Sequence, residues 1–279
     1  MQQKRSQAKP FKKQEQKDFA IKPKKNQSHL IEDSVIFYGV NQVNTIIASK
    51  TRKIYEVMCT KQASGRLKLA GRALGVSEVS MQHLDIGLGL KSKNHQGMVC
   101  VTQKVKEPAL EPLLKTAKFV VVLNGVTDIG NIGAIIRSCV AFGVDLMITN
   151  KQKMPDIQNN PDLCKTSSGL SEQLQKAQVL SLPHWVSELK NNGFTTIALD
   201  HKSKLEIEEL SFKLTQCKAG KAGKNKIALV LGSEGFGIEQ KVASICDFAV
   251  KIDTKIESLN VASAAAIAIF ALSKLMPNH

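Results

Sequence analysis

The sequence predicts an α/β fold with a parallel sheet in the C-terminal half of the chain. Short runs such as Phe119–Leu123 and Ile227–Leu231 are continuously apolar, as expected of strands that are buried on both faces. Segments with helical spacing, such as Ile132–Phe142, separate these runs. Strands that alternate with helices in this way form parallel sheets with helices on both sides.

The remaining elements follow the same pattern. In the C-terminal half, further strands are predicted at Leu146–Thr149, Thr195–Leu199 and Phe248–Ile252, and helices around Trp185–Asn191, from near Ile238 and after Asn260. In the N-terminal half, Val35–Val40 is predicted as a strand or the start of a helix, Ile54–Thr60 and His95–Val101 as strands, and Asn41–Ser49 and Ser64–Leu74 as helices. The N-terminal half is therefore predicted to be a small α/β unit.

Composition divides the chain into four segments. Residues 1–33 are polar, basic and low in complexity, which predicts a disordered arm. Residues 34–106 form the small α/β domain, and residues 107–118, with two prolines and alternating charges, are predicted to be a linker. The C-terminal domain is expected to span residues 119–279.

The net charge of +15 favours a polyanionic partner such as RNA. Residues 1–25 contain nine Lys/Arg and two acidic residues, a net +7, so the remaining 254 residues carry +8. A lysine-rich surface that serves solubility explains the charge equally well. Only 5% of residues are aromatic, which argues against a protein that reads single-stranded bases mainly by stacking.

The six cysteines are far apart and form no Cys-x-x-Cys pair, so neither a disulfide framework nor a zinc site is expected. We predict no bound metal. The apolar stretch Val261–Leu272 is too short to span a bilayer, and the N-terminus lacks the apolar core of a secretory signal. The chain is therefore predicted to be cytoplasmic, with no membrane partner.

Three turns that follow apolar runs carry the candidate functional residues, because ligand sites of α/β domains gather where strands end. The first leads into a helix whose apolar stripe leaves Arg137 among small residues, with Asn131 at the expected N-cap. The second, Gly232–Gly237, is glycine-rich and contains Glu234, but it matches neither a phosphate-binding nor a dinucleotide-binding fingerprint. The third places Ser258 and Asn260 before an Ala-rich helix that is expected to be buried on every face. A helix cap, a surface arginine and a plain turn would explain each segment separately.

In order and spacing, these segments resemble the three motifs of the SpoU family of RNA ribose methyltransferases. The motifs are Asn131-Ile-Gly-Ala-Ile-Ile-Arg137-Ser-Cys-Val-Ala-Phe-Gly143, Leu229-Val-Leu-Gly-Ser-Glu-Gly-Phe-Gly237 and Ser258-Leu-Asn-Val261, with a small-residue loop at Thr166-Ser-Ser-Gly169. In the N-terminal half, Tyr38-Gly39-Val40 and His95-Gln96-Gly97 are similar to the substrate-binding domain of the rRNA-directed branch. The resemblance covers about residues 36–275.

The resemblance implies a trefoil-knotted α/β domain that forms a homodimer, binds S-adenosylmethionine and methylates a ribose 2′-hydroxyl, here expected on a guanosine of 23S rRNA. It implies a catalytic set of Asn131, Arg137, Glu234, Ser258 and Asn260. It also implies that Leu231, Gly232, Gly235, Ile252 and Leu259 bind the cofactor.

The sequence departs from the family pattern at two places. Asp128-Ile129-Gly130 stands where an Asp-Pro is usual before Asn131, and the stretch Ile252–Glu257 is shorter than usual and lacks its proline and glycine. The alternatives are a tRNA ribose methyltransferase of the same family and an inactive RNA-binding protein. An ordinary Rossmann methyltransferase is excluded, because its glycine-rich loop would follow the first strand.

Overall fold

The computed structural model describes residues 33–91, 93–154, 156–217, 226–256 and 259–276, which contain two β-sheets. Residues 1–32 of the predicted arm lie outside the described residues. Asp33 belongs to the fold, because its carboxylate accepts a hydrogen bond from Gln103 at 3.0 Å.

The N-terminal elements are β1 Ser34–Tyr38, α1 Val40–Ser49, β2 Ile54–Cys59, α2 Lys61–Ser64, β3 Val76–Glu78 and β4 Met98–Gln103. The four strands form a sheet in the order β1-β4-β2-β3. Strand β4 runs antiparallel to β1 and β2, and β3 runs parallel to β2. One face of the sheet packs on helix α1, and the other on a cluster around Leu84 in a single π-helical turn, His83–Gly87.

Two predictions in this half were wrong in position. No helix spans Ser64–Leu74: α2 ends at Ser64, and Ala70 and Gly71 have φ values of 49° and 73°, which no right-handed helix accommodates. Strand β4 begins at Met98 rather than His95, because Gln96 and Gly97 form a turn with positive φ. In both cases the backbone conformation, rather than the hydrophobic pattern, determines where the helix or strand can lie.

The C-terminal strands are β5 Phe119–Asn124, β6 Leu146–Asn150, β7 Gln175–Val179, β8 Thr195–Leu199, β9 Ile227–Gly232 and β10 Phe248–Val250. All six are parallel and form a sheet in the order β10-β8-β9-β5-β6-β7, which confirms the predicted parallel sheet. Its helices are α3 Leu110–Thr116, α4 Ile129–Ala141, α5 Pro161–Thr166, α6 Leu182–Asn191, α7 Ile207–Cys217, α8 Gln240–Ala243 and α9 Val261–Ser273, with a 3-10 turn at Leu170–Glu172.

Helices cover both faces of this sheet. Alternate residues of the central strand β5 point to opposite sides, so that Val121 packs in one core with α4 and α9 and Val122 in the other with α3 and α6. Every residue of β5 is buried. The parallel register brings the carboxyl ends of β5, β8 and β9 to one edge.

The structure also alters two expectations about helices. The predicted linker contains α3, whose Leu110 and Leu114 are buried in the core of the sheet, while Pro112 lies in the first turn, where a helix tolerates proline. Helix α9 is not buried on every face, because Ile267 and Phe270 are 40% and 47% exposed. No helix in the described part of the chain is long and apolar enough to cross a membrane.

Polar contacts join the two sheets. The Arg52 side chain, between α1 and β2, donates from Nε to Glu172 Oε2 (2.7 Å) and from Nη2 to Glu172 Oε1 (3.0 Å), and both side chains are buried. Arg52 also donates to the Gln158 carbonyl and to Asn159 Oδ1. Helix α5 adds a second junction, where Asp162 accepts from the Tyr38 hydroxyl and pairs with Lys93.

Candidate functional site

The candidate site lies where β5, β8 and β9 end. Strand β9 ends at Gly232, and the turn that follows carries Glu234. The buried Asn124 at the end of β5 accepts a hydrogen bond from the Glu239 backbone N–H at 2.7 Å, which fixes the far end of the same turn. The first residues of α4 and α9 approach this edge from one side of the sheet.

Three side chains from the three predicted motifs meet at this edge. Asn131 Nδ2 donates to Glu234 Oε1 at 2.6 Å, and Asn260 Nδ2 donates to the same oxygen at 3.0 Å. Asn260 Nδ2 also lies 3.1 Å from Asn131 Oδ1. The Asn131–Glu234–Asn260 triad therefore ties together segments up to 129 residues apart in the chain.

The helix caps explain why both amides face the carboxylate. Asn260 is the N-cap of α9, and its Oδ1 accepts from the backbone N–H groups of Ala262 (2.9 Å) and Ser263 (3.3 Å), so its amide nitrogen must point towards Glu234. The prediction that Asn131 caps α4 was wrong. Asp128 is the N-cap and accepts from the Asn131 backbone N–H at 2.7 Å, which leaves the Asn131 side chain for the triad.

The turn between Gly232 and Gly237 is closed by a pair of backbone hydrogen bonds between Ser233 and Gly237, at 3.0 and 2.9 Å. It has no room for a side chain at its start. A Cβ atom on Gly232 would lie 2.2 Å from the Gly237 carbonyl carbon and 2.4 Å from the Ile238 nitrogen. By contrast, a Cβ on Gly235 would meet nothing within 4 Å. The turn is held rigidly at its base and is open at its tip.

We expect Gly232→Ala to lower the free energy of unfolding by about 1–3 kcal/mol, the usual range for overpacking a filled site. The added methyl group must open the Ser233–Gly237 pair, since backbone atoms cannot move aside independently. Urea denaturation followed by circular dichroism measures the change. The matched control Gly235→Ala should stay within about 0.5 kcal/mol of the wild type. Equal losses in the two variants would contradict the steric explanation.

A cleft of about 670 Å³, part of it open to solvent, lies against this turn. Four of the five predicted cofactor-binding residues line it: Leu231, Gly232, Ile252 and Leu259. Glu234 lines the cleft as well and so belongs both to it and to the triad. The fifth predicted residue, Gly235, lies at the exposed tip of the turn, outside the lining.

The sequence interpretation missed several cleft residues, among them Leu199, His201 and Thr254. Leu199 and His201 lie at the carboxyl end of β8, which pairs directly with β9. The only clue in the sequence was that His201 follows a strand-like run, and that clue did not identify β8 as the neighbour of β9.

Arg137 is exposed on α4 and makes no hydrogen bond or ion pair within the described residues. Its neighbours on the helix surface, Ala134 and Ala141, are small and exposed, as predicted. Helical spacing also predicts Gly133 among the small residues beside Arg137, and that prediction was wrong: Gly133 is buried, and a Cβ there would lie 2.3 Å from Thr166 Oγ1 of α5. Side chains of a helix incline towards its N-terminus, so Arg137 inclines towards the end of α4 that carries Asn131.

Ser258 lies outside the described residues. No group of three or more His, Cys, Asp or Glu residues in the described ranges could hold a metal ion. The described residues at this edge thus offer one carboxylate held by two amides and an adjoining cleft, whereas Arg137 lies further along α4, outside both the triad and the lining of the cleft.

The chain belongs to the SpoU rRNA methylase family, whose model matches residues 118–270. It is therefore an RNA methyltransferase of that family. A protein of Borreliella burgdorferi, named as an uncharacterized tRNA/rRNA methyltransferase, is 32% identical over 199 residues, which are 66% of this chain and 82% of the relative. The 23S rRNA (guanosine-2′-O-)-methyltransferase RlmB of Coxiella burnetii is 27% identical over 249 residues, 85% of this chain and 94% of the relative.

Solved structures agree with the fold. The SpoU methyltransferase AviRb of Streptomyces viridochromogenes, in complex with the cofactor AdoMet, has a TM-score of 0.67 at 20% identity, and the match covers 89% of this chain and 92% of AviRb. A TrmH-family protein from Porphyromonas gingivalis has a TM-score of 0.66 at 21% identity, and the match covers 88% of this chain and 92% of that protein.

Proposed function

We propose that this RNA methyltransferase transfers a methyl group from S-adenosylmethionine to a ribose 2′-hydroxyl, and that its target is a guanosine of 23S rRNA. The observation that carries the proposal is that Glu234 belongs both to the triad and to the cleft. A cofactor in the cleft would thus lie directly beside a fixed group of polar side chains. The Coxiella burnetii relative supports the choice of substrate, because it carries that specificity in its name.

The lining of the cleft combines apolar side chains with a few polar groups, as sites for small molecules do. Leu199, Leu231 and Ile252 offer apolar surface for an adenine ring, and Ser233 and Thr254 offer hydroxyl groups. We propose that Leu231, Gly232, Ile252 and Leu259 contact the cofactor, and that Gly235, at the open tip of the turn, meets it only through its backbone.

The cofactor, when bound, would supply an already activated methyl group, so the protein has to position the ribose hydroxyl, whose proton would pass to the neighbouring RNA phosphate or to water as the methyl group is transferred. A guanidinium group stays protonated in proteins and is therefore a poor base. We therefore assign to Arg137 the binding of the target phosphate and the stabilisation of charge that develops on the 2′-oxygen. Asn131, Glu234 and Asn260, together with Ser258, orient the ribose.

We further propose that the domain of residues 119–279 is knotted and that the domain of residues 34–106 binds the RNA substrate. The knot is supported by the path of the chain: after β10, at the edge of the sheet, it returns past the cleft residues Ile252 and Leu259 to pack α9 on α4. The N-terminal domain is supported by the relatives, whose matches extend over most of their length.

A homodimer formed through α9 would cover the exposed apolar side chains of that helix. Phe270 packs against Phe142, the residue that follows α4, with ring centroids 5.3 Å apart, and Ile267 lies one turn before Phe270. We expect Ile267→Lys to convert a dimer to a monomer at micromolar concentration, as measured by light scattering after gel filtration. Ile86→Lys, at a more exposed isoleucine of the N-terminal half, is the matched control and should leave the mass unchanged. A wild-type monomer would contradict the proposal.

The function is tested by incubating the protein with tritiated S-adenosylmethionine and, separately, with large-subunit rRNA, small-subunit rRNA and tRNA. We expect label at one ribose 2′-oxygen of the large-subunit rRNA. Label in tRNA alone would keep the chemistry and overturn the substrate. Bound cofactor without label in any pool would favour an inactive RNA-binding protein.

A further inference from the structure

Phe236 is the most exposed large apolar side chain in the described part of the chain, at 97%. The next most exposed, Ile86 and Leu180, are both at 67%. A single exposed apolar residue is ordinary on a protein surface. This one differs because it lies in the candidate site, two residues after Glu234. Two residues of extended chain span at most about 7 Å, so the Phe236 backbone lies within one nucleotide's length of the triad.

The turn presents this ring in a fixed place. Backbone hydrogen bonds between Ser233 and Gly237 close the turn, and the Phe236 N–H lies 3.4 Å from Ser233 Oγ. Backbone atoms pack so closely around Gly232, at the base of the turn, that no methyl group fits there. A rigid support lowers the entropic cost of ordering a ligand against the ring.

The position of the Phe236 ring argues against a role in binding the cofactor. The cleft is lined by Ser233, Glu234 and Gly237, whereas Phe236 lies outside the lining. The ring therefore projects away from the space assigned to the cofactor and into solvent. The fold does not use it either, because nearly all of its surface stays in contact with water.

We propose that Phe236 stacks on an RNA base next to the ribose being methylated and so holds the target nucleotide at the triad. An aromatic face is a general partner for unstacked bases in RNA recognition. The net charge of +15 brings the RNA backbone to the protein, and a single ring at the site then fixes one base. The scarcity of aromatic residues is compatible with this, because one stacking position requires one ring. This inference rests on the proposed function.

The kinetic test compares Phe236→Ala, Phe236→Trp and the wild type in the methylation assay, with the RNA pool that the wild type labels. We expect Phe236→Ala to lower kcat/KM for RNA about 5- to 150-fold, the range that loss of one stacked base produces. Phe236→Trp should retain activity, and the affinity for S-adenosylmethionine, measured by calorimetry, should be unchanged in all variants. Leu180→Ala, at an exposed apolar residue following the edge strand β7, is the matched control and should behave as the wild type.

A binding test separates this proposal from the proposed function. The Phe236→Trp variant should lose fluorescence when large-subunit rRNA, small-subunit rRNA or tRNA is added without cofactor, beyond the change shown by Trp185 in the wild type. No additional loss with any of the three, or an unchanged kcat/KM in Phe236→Ala, overturns the stacking. A lower solution mass of Phe236→Ala would assign the ring to a second copy of the chain and also overturn it. A wild type that labels no RNA overturns the proposed function, whereas quenching of the Phe236→Trp variant would still support the stacking.

Discussion

Replacement of Arg137 by alanine is expected to reduce methyl transfer by about 10²–10³-fold in kcat, the loss typical of removing one group that stabilises charge in the transition state. The side chain is exposed, lies between two alanines on α4 and is unpaired within the described residues. Its removal should therefore leave the free energy of unfolding and the affinity for S-adenosylmethionine unchanged. Methylation kinetics, calorimetry and urea denaturation measure the three quantities.

Two further variants sharpen this test. Arg137→Lys keeps the charge but loses the planar fork that binds a phosphate with two hydrogen bonds, so its activity should fall between those of wild type and Arg137→Ala. Lys115→Ala removes an exposed cation from α3, on the opposite face of the sheet, and should retain full activity. Normal turnover in Arg137→Ala would disprove the assigned role.

The largest loss of stability is expected for Arg52→Ala, about 3–5 kcal/mol, because it leaves the Glu172 carboxylate buried without its partner. Lys176 lies in the same buried region and donates to the Ser171 carbonyl. Burial lowers the pKa of this ammonium group, while the Glu172 carboxylate acts in the opposite direction. The buried Glu172 carboxylate thus interacts with two cations at this junction, Arg52 and Lys176.

Urea denaturation at neutral pH measures this loss, and an exposed ion pair provides the control. Lys153 and Glu239 are paired at the surface, with side chains 48% exposed, so Lys153→Ala should cost no more than about 1 kcal/mol. The triple variant Arg52→Met, Glu172→Leu and Lys176→Met should lose less than Arg52→Ala, because it removes the three buried charges together. A similar loss in Arg52→Ala and Lys153→Ala would show that the junction contributes little.

Hydrophobic pattern was sufficient to predict the central strands but failed where polar contacts or backbone geometry decide the structure. Strand β5 was predicted within one residue, because it is continuously apolar. Strand β7 was missed, because two of its four buried positions are Lys176 and Gln178, which find partners elsewhere in the fold. Helix α4 begins three residues before the prediction, because Asp128 caps it ahead of Gly130, a poor helix former.

The candidate site was predictable from motif order but not from physical pattern alone. Asn131, Glu234 and Asn260 come from three distant segments, and each had an ordinary local explanation. Asn260 is in fact also a helix cap. The contact of both asparagines with one oxygen of Glu234 depends on which strands are neighbours in the sheet. Neither the charge pattern nor the hydrophobic periodicity of the sequence encodes that strand order.

The pairing of β5 with β9 has a consequence for how the chain acquires its fold during synthesis. Phe119 pairs with Ile227, and so one side of the central strand stays without its partner until 108 further residues have been made. Until then a fully apolar strand presents an open edge, a state that favours aggregation and recruits chaperones. The turn after β9 and the residue before α9 carry Glu234 and Asn260, so both side chains are synthesised well after β5. Closure of the sheet beside β5 and assembly of the triad therefore both wait for these segments, and a chain terminated before β9 lacks both.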